Sequence, residues 1–497
     1  MKKIIISILG VLSLFGCVDL KQEPLSFLTP ENISYDESNM TTMANGLYRA
    51  LWGWNYGYCC RLFTLTLGAD DVIAGQLSKT RVIVIDELRA DATISELDVK
   101  YFWTNMYNLI LNSNLMIEGI SGSSGSFEEK KPYLGEAYFM RAFAYYNLVR
   151  IFGDVPAIID SKSAQDVLGN ENIGRNRVAD IYDKIIVPDL IMAEEYLPEV
   201  PRTRDNSSVG KIAAQTCLSE VYLTMAGWPL KRTEYYAKAA EKAKQIIEAS
   251  YNTHRLVEHY EDLWKEVTKS DNTEHIFAIN CSRLNSMASQ YGISFLAMEE
   301  NGWSDYLADE AFYLKYPDDE RKAFNYKTTY NRAGRPGQTI IVPYTQSTMK
   351  SPFINKYRDY GTDAAQSDGI IPIYRYADVL LIYAEAQNLA NNGPDDLAYR
   401  CINDVRKRAT GGTSNDIPEN LSGEDFDKYV FDERGWEFFA EFKRWFQLVR
   451  REKVEECNRY NSRVVEAGYI DRNKENYLMP LPPKEVELAK FPQNAGY

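Results

Sequence analysis

Over most of the chain, apolar residues return every three or four positions. Phe139, Ala142, Phe143, Tyr146 and Val149 share one face of a helix, which Gly153 and Pro156 close as residues beyond a C-cap commonly do. An earlier helix is predicted around Tyr101–Ile117, set apart by SGSSGS at 121–126. Val379, Ile382, Ala386 and Leu389 repeat the spacing, and Trp436, Phe439, Phe442 and Phe446 are expected along another helix.

Several of these helices come in pairs. Gly210-Lys211-Ile212-Ala213-Ala214 leads into Leu218, Val221 and Tyr222, and after the turn Gly227-Trp228-Pro229 the residues Ala237, Ala240, Ala243 and Ile247 make a return helix. Tyr376–Ala390 and Leu397–Ala409, joined by Asn391-Asn392-Gly393-Pro394, form a second candidate pair. Small residues on a face that also carries large ones let two helices approach closely. The pattern is similar to tetratricopeptide repeats, whose period is about 34 residues; an ordinary helical bundle is the competing reading.

Residues 270–360 break this period. They hold short β-rich runs (Ile276–Ile279, Thr339–Val342), the turn residues Gly334-Arg335-Pro336-Gly337 and scattered aromatics. Long irregular segments in compact proteins are often binding surfaces. The expectation is therefore one domain over 31–497, mostly α, with a helical-pair scaffold at about 31–265 and 365–497 and an irregular, loop-rich ligand-facing region at about 270–360.

The first residues follow another pattern. Ile4 to Phe15 is apolar but too short for a bilayer, which needs about 20 residues. With Lys2 and Lys3 ahead and Gly16 behind, it reads as a secretory signal. Leu14-Phe15-Gly16-Cys17 resembles a bacterial lipobox, which implies a signal peptide at 1–16, acylation of Cys17 by palmitate-like chains and a flexible tether over 17–30. Each buried methylene adds about 0.8 kcal/mol, so several chains make a lasting anchor. A secreted protein with a chance cysteine is the alternative. Asp19, Lys21, Gln22 and Glu23 resemble the acidic signal that sends lipoproteins of Bacteroides-type bacteria to the cell surface.

Charge narrows the partners. The formal net charge is −14, and loss of Lys2 and Lys3 makes it two units more negative. That balance argues against nucleic acid, whose phosphates need a basic face, and suits an uncharged or cationic ligand. Six cysteines follow Cys17 without a CxxC pair, and His254, His259 and His275 lack the i, i+4 spacing of a helical metal pair, so neither metal nor cofactor is expected.

Four blocks carry a family resemblance: RAFAYYNLVRIFGDVP (141–156), IPIYRYADVLLIYAEA (371–386), ERGWEFFAEFKRWFQLVR (433–450) and the ending NYLMPLPPKEV…FPQNAGY. With the lipobox and INDVRKRA at 402–409, they resemble the SusD/RagB family of outer-membrane nutrient-binding lipoproteins. Phe442-Lys443 stands where family members more often carry a small residue and a polar one. The resemblance implies a tetratricopeptide-like scaffold under an irregular face. It also implies a lipid-anchored protein on the exterior of the outer membrane. Such a protein captures oligosaccharide or polysaccharide, delivers it to a SusC-like TonB-dependent transporter, and breaks no bonds. Some branches bind peptides instead. Apart from the resemblance, Glu433, Arg434, Glu437, Glu441 and Arg444 fall three or four apart, so ion pairs along one helix are expected.

Asn301-Gly302-Trp303-Ser304 resembles the segment that carries a ring-stacking tryptophan in starch-binding members, and Tyr291-Gly292 a second aromatic position. On that resemblance Trp303 and Tyr291 form the platform, with Asn301, Gln76 and Arg61 as polar neighbours. Each ring would add about 1 kcal/mol beyond area burial, which suits μM-to-mM affinity. Core packing is the other reading of both rings. Val72-Ile73-Ala74-Gly75-Gln76 lacks the aromatics that starch-type members carry there, which argues against starch. Trp52, Trp54, Tyr56 and Tyr58 alternate ahead of Arg61, either flanking a site or packing beside the first helix. The rival readings are a peptide-binding member and an anchored glycoside hydrolase using Asp70/Asp71 or Asp318/Asp319. Hydrolysis needs two acids facing each other at roughly 5–9.5 Å across a sugar, which adjacent residues rarely achieve.

Overall fold

The computed structural model describes residues 34–497 except 54–56, 59–60, 77, 164–173, 204, 333–337, 358–366, 459–463 and 466–473. Cys17, the tether, Trp54, Tyr56, Cys59 and Cys60 therefore lie outside the described residues.

Long helices make the frame: α1 (Glu37–Leu51), α2 (Glu96–Gly122), α3 (Phe127–Phe152), α4 (Val187–Tyr196), α5 (Lys211–Ala226), α6 (Tyr235–Glu248), α7 (Tyr376–Asn391), α8 (Asp396–Ala409) and α9 (Gly423–Glu437). They pack in chain order, with α1 against α2 and α3, then α2 on α3, α3 on α4, α4 on α5, α5 on α6, α6 on α7, and α7 on both α8 and α9. The protein is thus mostly helical, a row in which each helix covers the next. None of the helices among the described residues is long and apolar enough to cross a membrane.

Local chemistry sets the helix ends. The Asp36 carboxylate accepts the Asn39 N–H at 2.9 Å, and Asp395 accepts that of Ala398 at 2.8 Å, each satisfying a donor that has no partner inside the helix. Asn392, in the left-handed region at φ 55°, stops α7 where the Asn-Gly-Pro turn was read. The apolar faces differ from expectation in two places. Helix α3 is buried nearly all round rather than on one face, because α1, α2 and α4 enclose it. Arg141 within it forms a two-pronged pair with Asp189 at 2.7 and 2.8 Å. In α6 the buried face is Ala239, Ala240, Ala243 and Ile246, so Ala237 is exposed and Ile247 only part-buried.

The block around ERGWEFFAEF departs more. Trp436 to Phe446 is not one helix: α9 ends at Glu437, Ala440 and Phe442 take positive φ values of 56° and 64°, and a new helix begins at Arg444. The ion pairs also run across the fold rather than along a helix. Glu437 is reached by Arg321 at 2.6 Å, by Arg375 at 2.5 Å and by Arg408. Glu441 meets Arg375 and Lys356, both at 2.8 Å; Glu433 meets Arg321 at 2.7 Å and Arg406 at 3.1 Å. Arg375 and Arg408 both reach Glu274 as well. All four glutamates are fully buried or nearly so. A buried carboxylate must be compensated on several sides, and here arginines and Lys356 from other segments do that. Desolvation favours protonation of Glu437 and Glu441, yet Arg408, Arg375 and Arg321 around the first, and Arg375 and Lys356 around the second, overcome it and hold both carboxyls below the ordinary range.

Short strands occupy the rest: β1 (Trp52–Gly53), β2 (Gly57–Tyr58), β3 (Val72–Ala74), β4 (His275–Asn280), β5 (Tyr306–Ala308), β6 (Tyr326–Lys327), β7 (Thr329–Asn331), β8 (Ile341–Pro343), β9 (Phe353–Ile354) and β10 (Ile370–Arg375). All pair antiparallel, as β1–β2, β3–β5, β4–β10, β6–β9 and β7–β8. The β4–β10 ladder, with Ile279 opposite Ile371 and an irregularity at Ile373, closes the base of an excursion over 281–369. Within that excursion the longest helices among the described residues, Glu310–Lys315 and Glu320–Asn325, have six residues each. The excursion has its own small core of Ile73, Ala297, Leu307, Tyr330, Val342, Met349 and Phe353.

Candidate functional site

The β3–β5 ladder positions the site. Val72 pairs with Ala308, Ile73 with Leu307 and Ala74 with Tyr306, and the Gly75 N–H continues the pairing to the Asp305 carbonyl at 2.8 Å. Gln76 follows just past β3, and Trp303 comes just before β5. Gly75 must be glycine because a Cβ there would collide with the Ser304 carbonyl.

The Trp303 loop is tightly built. After the turn of helix at Met298–Glu300, Asn301 takes φ 63° and Ser304 φ 47°. Between them the Gly302 N–H reaches the Ala297 carbonyl at 2.8 Å, Trp303 the Ile293 carbonyl at 2.9 Å, Ser304 the Leu296 carbonyl at 3.1 Å and Asp305 the Ser294 carbonyl at 2.8 Å. The buried Ser304 hydroxyl accepts the Met298 N–H at 3.0 Å and donates to the Leu296 carbonyl at 3.1 Å. A Cβ at Gly302 would enter the Leu296 backbone. The N–H groups of 302–305 are thereby all committed, and the loop leaves Trp303 with 39% of its surface exposed and Met298 with 42%. Asn301 and Gln76 are both exposed.

Two candidate residues are corrected. Tyr291 is 0% exposed. Its ring sits 5.5 Å from Phe63, 5.8 Å from Phe295, 5.8 Å from Tyr357 and 5.5 Å from Phe442, so it is a core ring with no face for a ligand. Arg61 is 6% exposed and lies in the left-handed region at φ 77°, with its Nε 3.5 Å from buried Asp98, which Arg81 also approaches at 3.1 Å. It compensates a buried charge and does not reach the site. Trp52 is likewise part-buried against the core.

The carboxylate pairs are engaged elsewhere. Asp70 is held by both arms of Arg444 at 2.7 and 2.9 Å. Buried Asp71 accepts the Ala440 N–H at 3.1 Å, and burial, with Asp70 beside it, pushes its carboxyl up to about 6. Asp318 points to solvent and pairs with Lys322 at 2.9 Å, whereas Asp319 caps the helix at Glu320–Asn325. Neither pair spans a cleft. Among the described residues no group of three or more His, Cys, Asp or Glu could hold a metal ion. His275 is buried, and desolvation, helped by Arg375, drives it down to about 3. Cys217, Cys401 and Cys457 are free thiols.

Sequence reasoning missed Met298, Ser304 and the segment Tyr344–Thr348. That segment borders the loop through a hydrogen bond from the Thr348 N–H to Glu299 at 2.9 Å. Asn301-Gly302 was the one local turn signal; nothing local marks Ser304 as a positive-φ residue.

A family model described as the SusD family matches residues 194–497, and one described as "Starch-binding associating with outer membrane" matches residues 68–223. SusD-like protein P2 of Formosa agariphila is 30% identical over 527 aligned residues, covering 98% of each chain. A SusD superfamily protein from Parabacteroides distasonis superposes with a TM-score of 0.79 at 26% identity, over 95% of this chain and 100% of that one. A laminarin-binding SusD-like protein shares the fold at a TM-score of 0.73 and 20% identity, over 93% of this chain and all of the other.

Proposed function

Because the chain belongs to the SusD family, we propose that it is a cell-surface glycan-binding lipoprotein. It is anchored in the outer membrane through Cys17, faces the exterior, captures oligosaccharide or polysaccharide on Trp303, and delivers it to a SusC-like TonB-dependent transporter. The observation that carries this reading is a tryptophan, 39% exposed, on a loop whose N–H groups from Gly302 to Asp305 all bond back to residues 293–297. A sugar ring has an apolar C–H face and a hydroxylated edge. An indole matches the face, and the Asn301 and Gln76 amides, which donate and accept, match the edge. With one platform and few polar partners the affinity is weak, in the μM-to-mM range, which suits a protein that hands its cargo on.

The reading is supported by a relative of the same fold that binds laminarin, and by the engagement of the acidic pairs in structural contacts. The test is native electrophoresis of the purified protein through gels cast with a panel of polysaccharides, alongside a reducing-end assay. The expected result is retardation in at least one polysaccharide with no release of reducing ends. Reducing ends rising in proportion to protein would replace this reading with a hydrolase. Binding to mixed peptides without retardation in any glycan would replace it with peptide capture. For the anchor, Cys17→Ser is expected to release the protein from the membrane fraction, and retention there would reject it.

A further inference from the structure

Of the described aromatic residues at 281–369, all are buried except Trp303, Tyr313 and Tyr344. The last two meet each other, with ring centroids 6.1 Å apart at 81°. Tyr344 follows β8, and its N–H returns to the Thr328 carbonyl at 2.8 Å. Its ring packs against the small core of the excursion, the same core that holds Ala297 at the foot of the Trp303 loop. Glu310 and Tyr313 lie three apart on the helix Glu310–Lys315, a spacing that puts both on one face. From that face Glu310 accepts the Tyr344 hydroxyl at 2.8 Å, and Tyr313 meets the ring. Tyr313 is braced in turn by Tyr326 at 4.9 Å and by the Lys322 ammonium, 4.7 Å from its ring centroid. Burial, with the Glu310 carboxylate beside it, pushes the Tyr344 phenol up to about 12, so the hydroxyl keeps its proton and its bond to Glu310. Tyr344 is thus fixed at its backbone, its ring and its hydroxyl, while part of it still meets water.

From this we infer that Tyr344, braced by Tyr313 and Glu310, is a second sugar-contacting site on the excursion, separate from Trp303, which takes the apolar C–H face of a pyranose unit of the captured polymer. The inference rests on the glycan-binding reading above and adds a contact to it. A side chain held at three points gives up little rotamer freedom when a ligand covers it, so stacking on it is not offset by ordering. Tyrosine suits the role, with a flat apolar body and only two side-chain torsions to fix. Glu310 is exposed and, as a carboxylate, accepts several hydrogen bonds at once. It can hold the Tyr344 hydroxyl and still take a hydroxyl from the sugar edge. The segments that carry Trp303 and Tyr344 share one small core. A chain that reaches both rings therefore gains from two weak contacts, the second made at high effective concentration.

The test compares two substitutions that keep apolar bulk at position 344 and differ in shape. Tyr344→Phe retains a flat ring, Tyr344→Leu does not, and both give up the bond to Glu310. Binding of the full mature protein is measured for the polysaccharide that wild-type protein retains best, from a panel of dextran, galactomannan, arabinoxylan and laminarin, with each urea midpoint alongside. Tyr344→Leu is expected to bind at least three-fold more weakly than Tyr344→Phe, and Trp303→Ala with Tyr344→Leu at least three-fold more weakly than Trp303→Ala alone. Glu310→Ala, at an exposed position that leaves the core untouched, is expected to weaken binding at least two-fold by releasing the Tyr344 hydroxyl and removing an acceptor. The control is Tyr235→Leu, in another half-buried tyrosine pair, Tyr222 with Tyr235 at 5.5 Å on α5 and α6; it is expected to leave the isotherm unchanged. Equal binding by the Leu and Phe variants, or no change in Glu310→Ala, would overturn the inference while capture on Trp303 stands. A loss from Tyr235→Leu as large as that from Tyr344→Leu would do the same. Wild-type protein that binds none of the polysaccharides would overturn the inference and the glycan reading together.

Discussion

Glu437, at the end of α9, is enclosed by Arg321, Arg375 and Arg408 with no exposure to water; Glu299, four positions before Trp303, is part-buried and held by a neutral N–H and a hydroxyl. Tyr291 and Trp303 show the same contrast in aromatic form, twelve residues apart, with one ring sealed among four others and one open to solvent. Wherever it is buried, in the frame or in the excursion, a charge or ring must be matched by partners on every side, since an unpaired buried ion costs several kcal/mol. At the solvent-facing edge of the excursion water takes over part of that work, as at Asp318 and at the 39% of Trp303 that is exposed. The location of a residue type, more than the type itself, decides whether it holds the fold or meets the cargo.

The largest effect expected from breaking this contrast is at Arg375. Arg375→Met takes one partner from each of the buried Glu274, Glu437 and Glu441 at once, and should lower the unfolding free energy by about 3–5 kcal/mol in urea titrations, or prevent folding. Tyr291→Ala should cost about 3 kcal/mol by emptying a ring-sized space in the core, whereas Trp303→Ala should change stability by less than about 0.5 kcal/mol; equal costs for the two would erase the distinction.

Acidity offers a finer probe. Burial raises Asp71 and Asp309, at opposite strands of the β3–β5 ladder, to about 6, above the unfolded value of about 3.9. Native protein then binds protons that unfolded chain releases, so their contribution is complete below about pH 4 and is lost as pH rises through about 6. Buried His275, driven down to about 3, acts in the opposite sense, and its contribution is lost as pH falls below about 6.5. The two trends oppose each other, so the informative quantity is a difference. Relative to wild type, Asp71→Asn should lose about 1 kcal/mol more at pH 5.5 than at pH 7.5, read from urea midpoints at both values. The smallest effect is at Ser304. Ser304→Ala removes one hydroxyl that serves two backbone groups, and should cost about 1 kcal/mol while loosening the loop enough to weaken glycan retention a few-fold.

Much of this contrast was legible in the chain, and where it was not the reason is physical. The helical frame and its turns showed through three- and four-residue periodicity, as at α7 and α8, where an Asn-Gly-Pro turn and a capping Asp395 carry the break locally. The excursion showed as a loss of that period. The division of ERGWEFFAEFKRWF into two helices was hidden, because Ala440 and Phe442 carry no preference for positive φ and are held there by the surrounding packing. The partners of Glu433, Glu437 and Glu441 were hidden because each arginine comes from a distant segment, and i, i+4 spacing advertises pairs the protein does not make. Tyr291 and Trp303 could not be separated by sequence: both lie in irregular stretches next to glycine, and only the three-dimensional neighbours of Phe63 and Phe442 draw one ring inward. Arg61 failed in the same way, since buried Asp98, its partner, lies 37 positions further along the chain.

The central claim is that the open ring of Trp303 holds the cargo. Its most direct test is the binding isotherm of Trp303→Ala for the polysaccharide that wild-type protein retains best, measured beside its urea midpoint. The account predicts at least a ten-fold loss of affinity at an unchanged midpoint; an unaltered isotherm from a folded variant would contradict it.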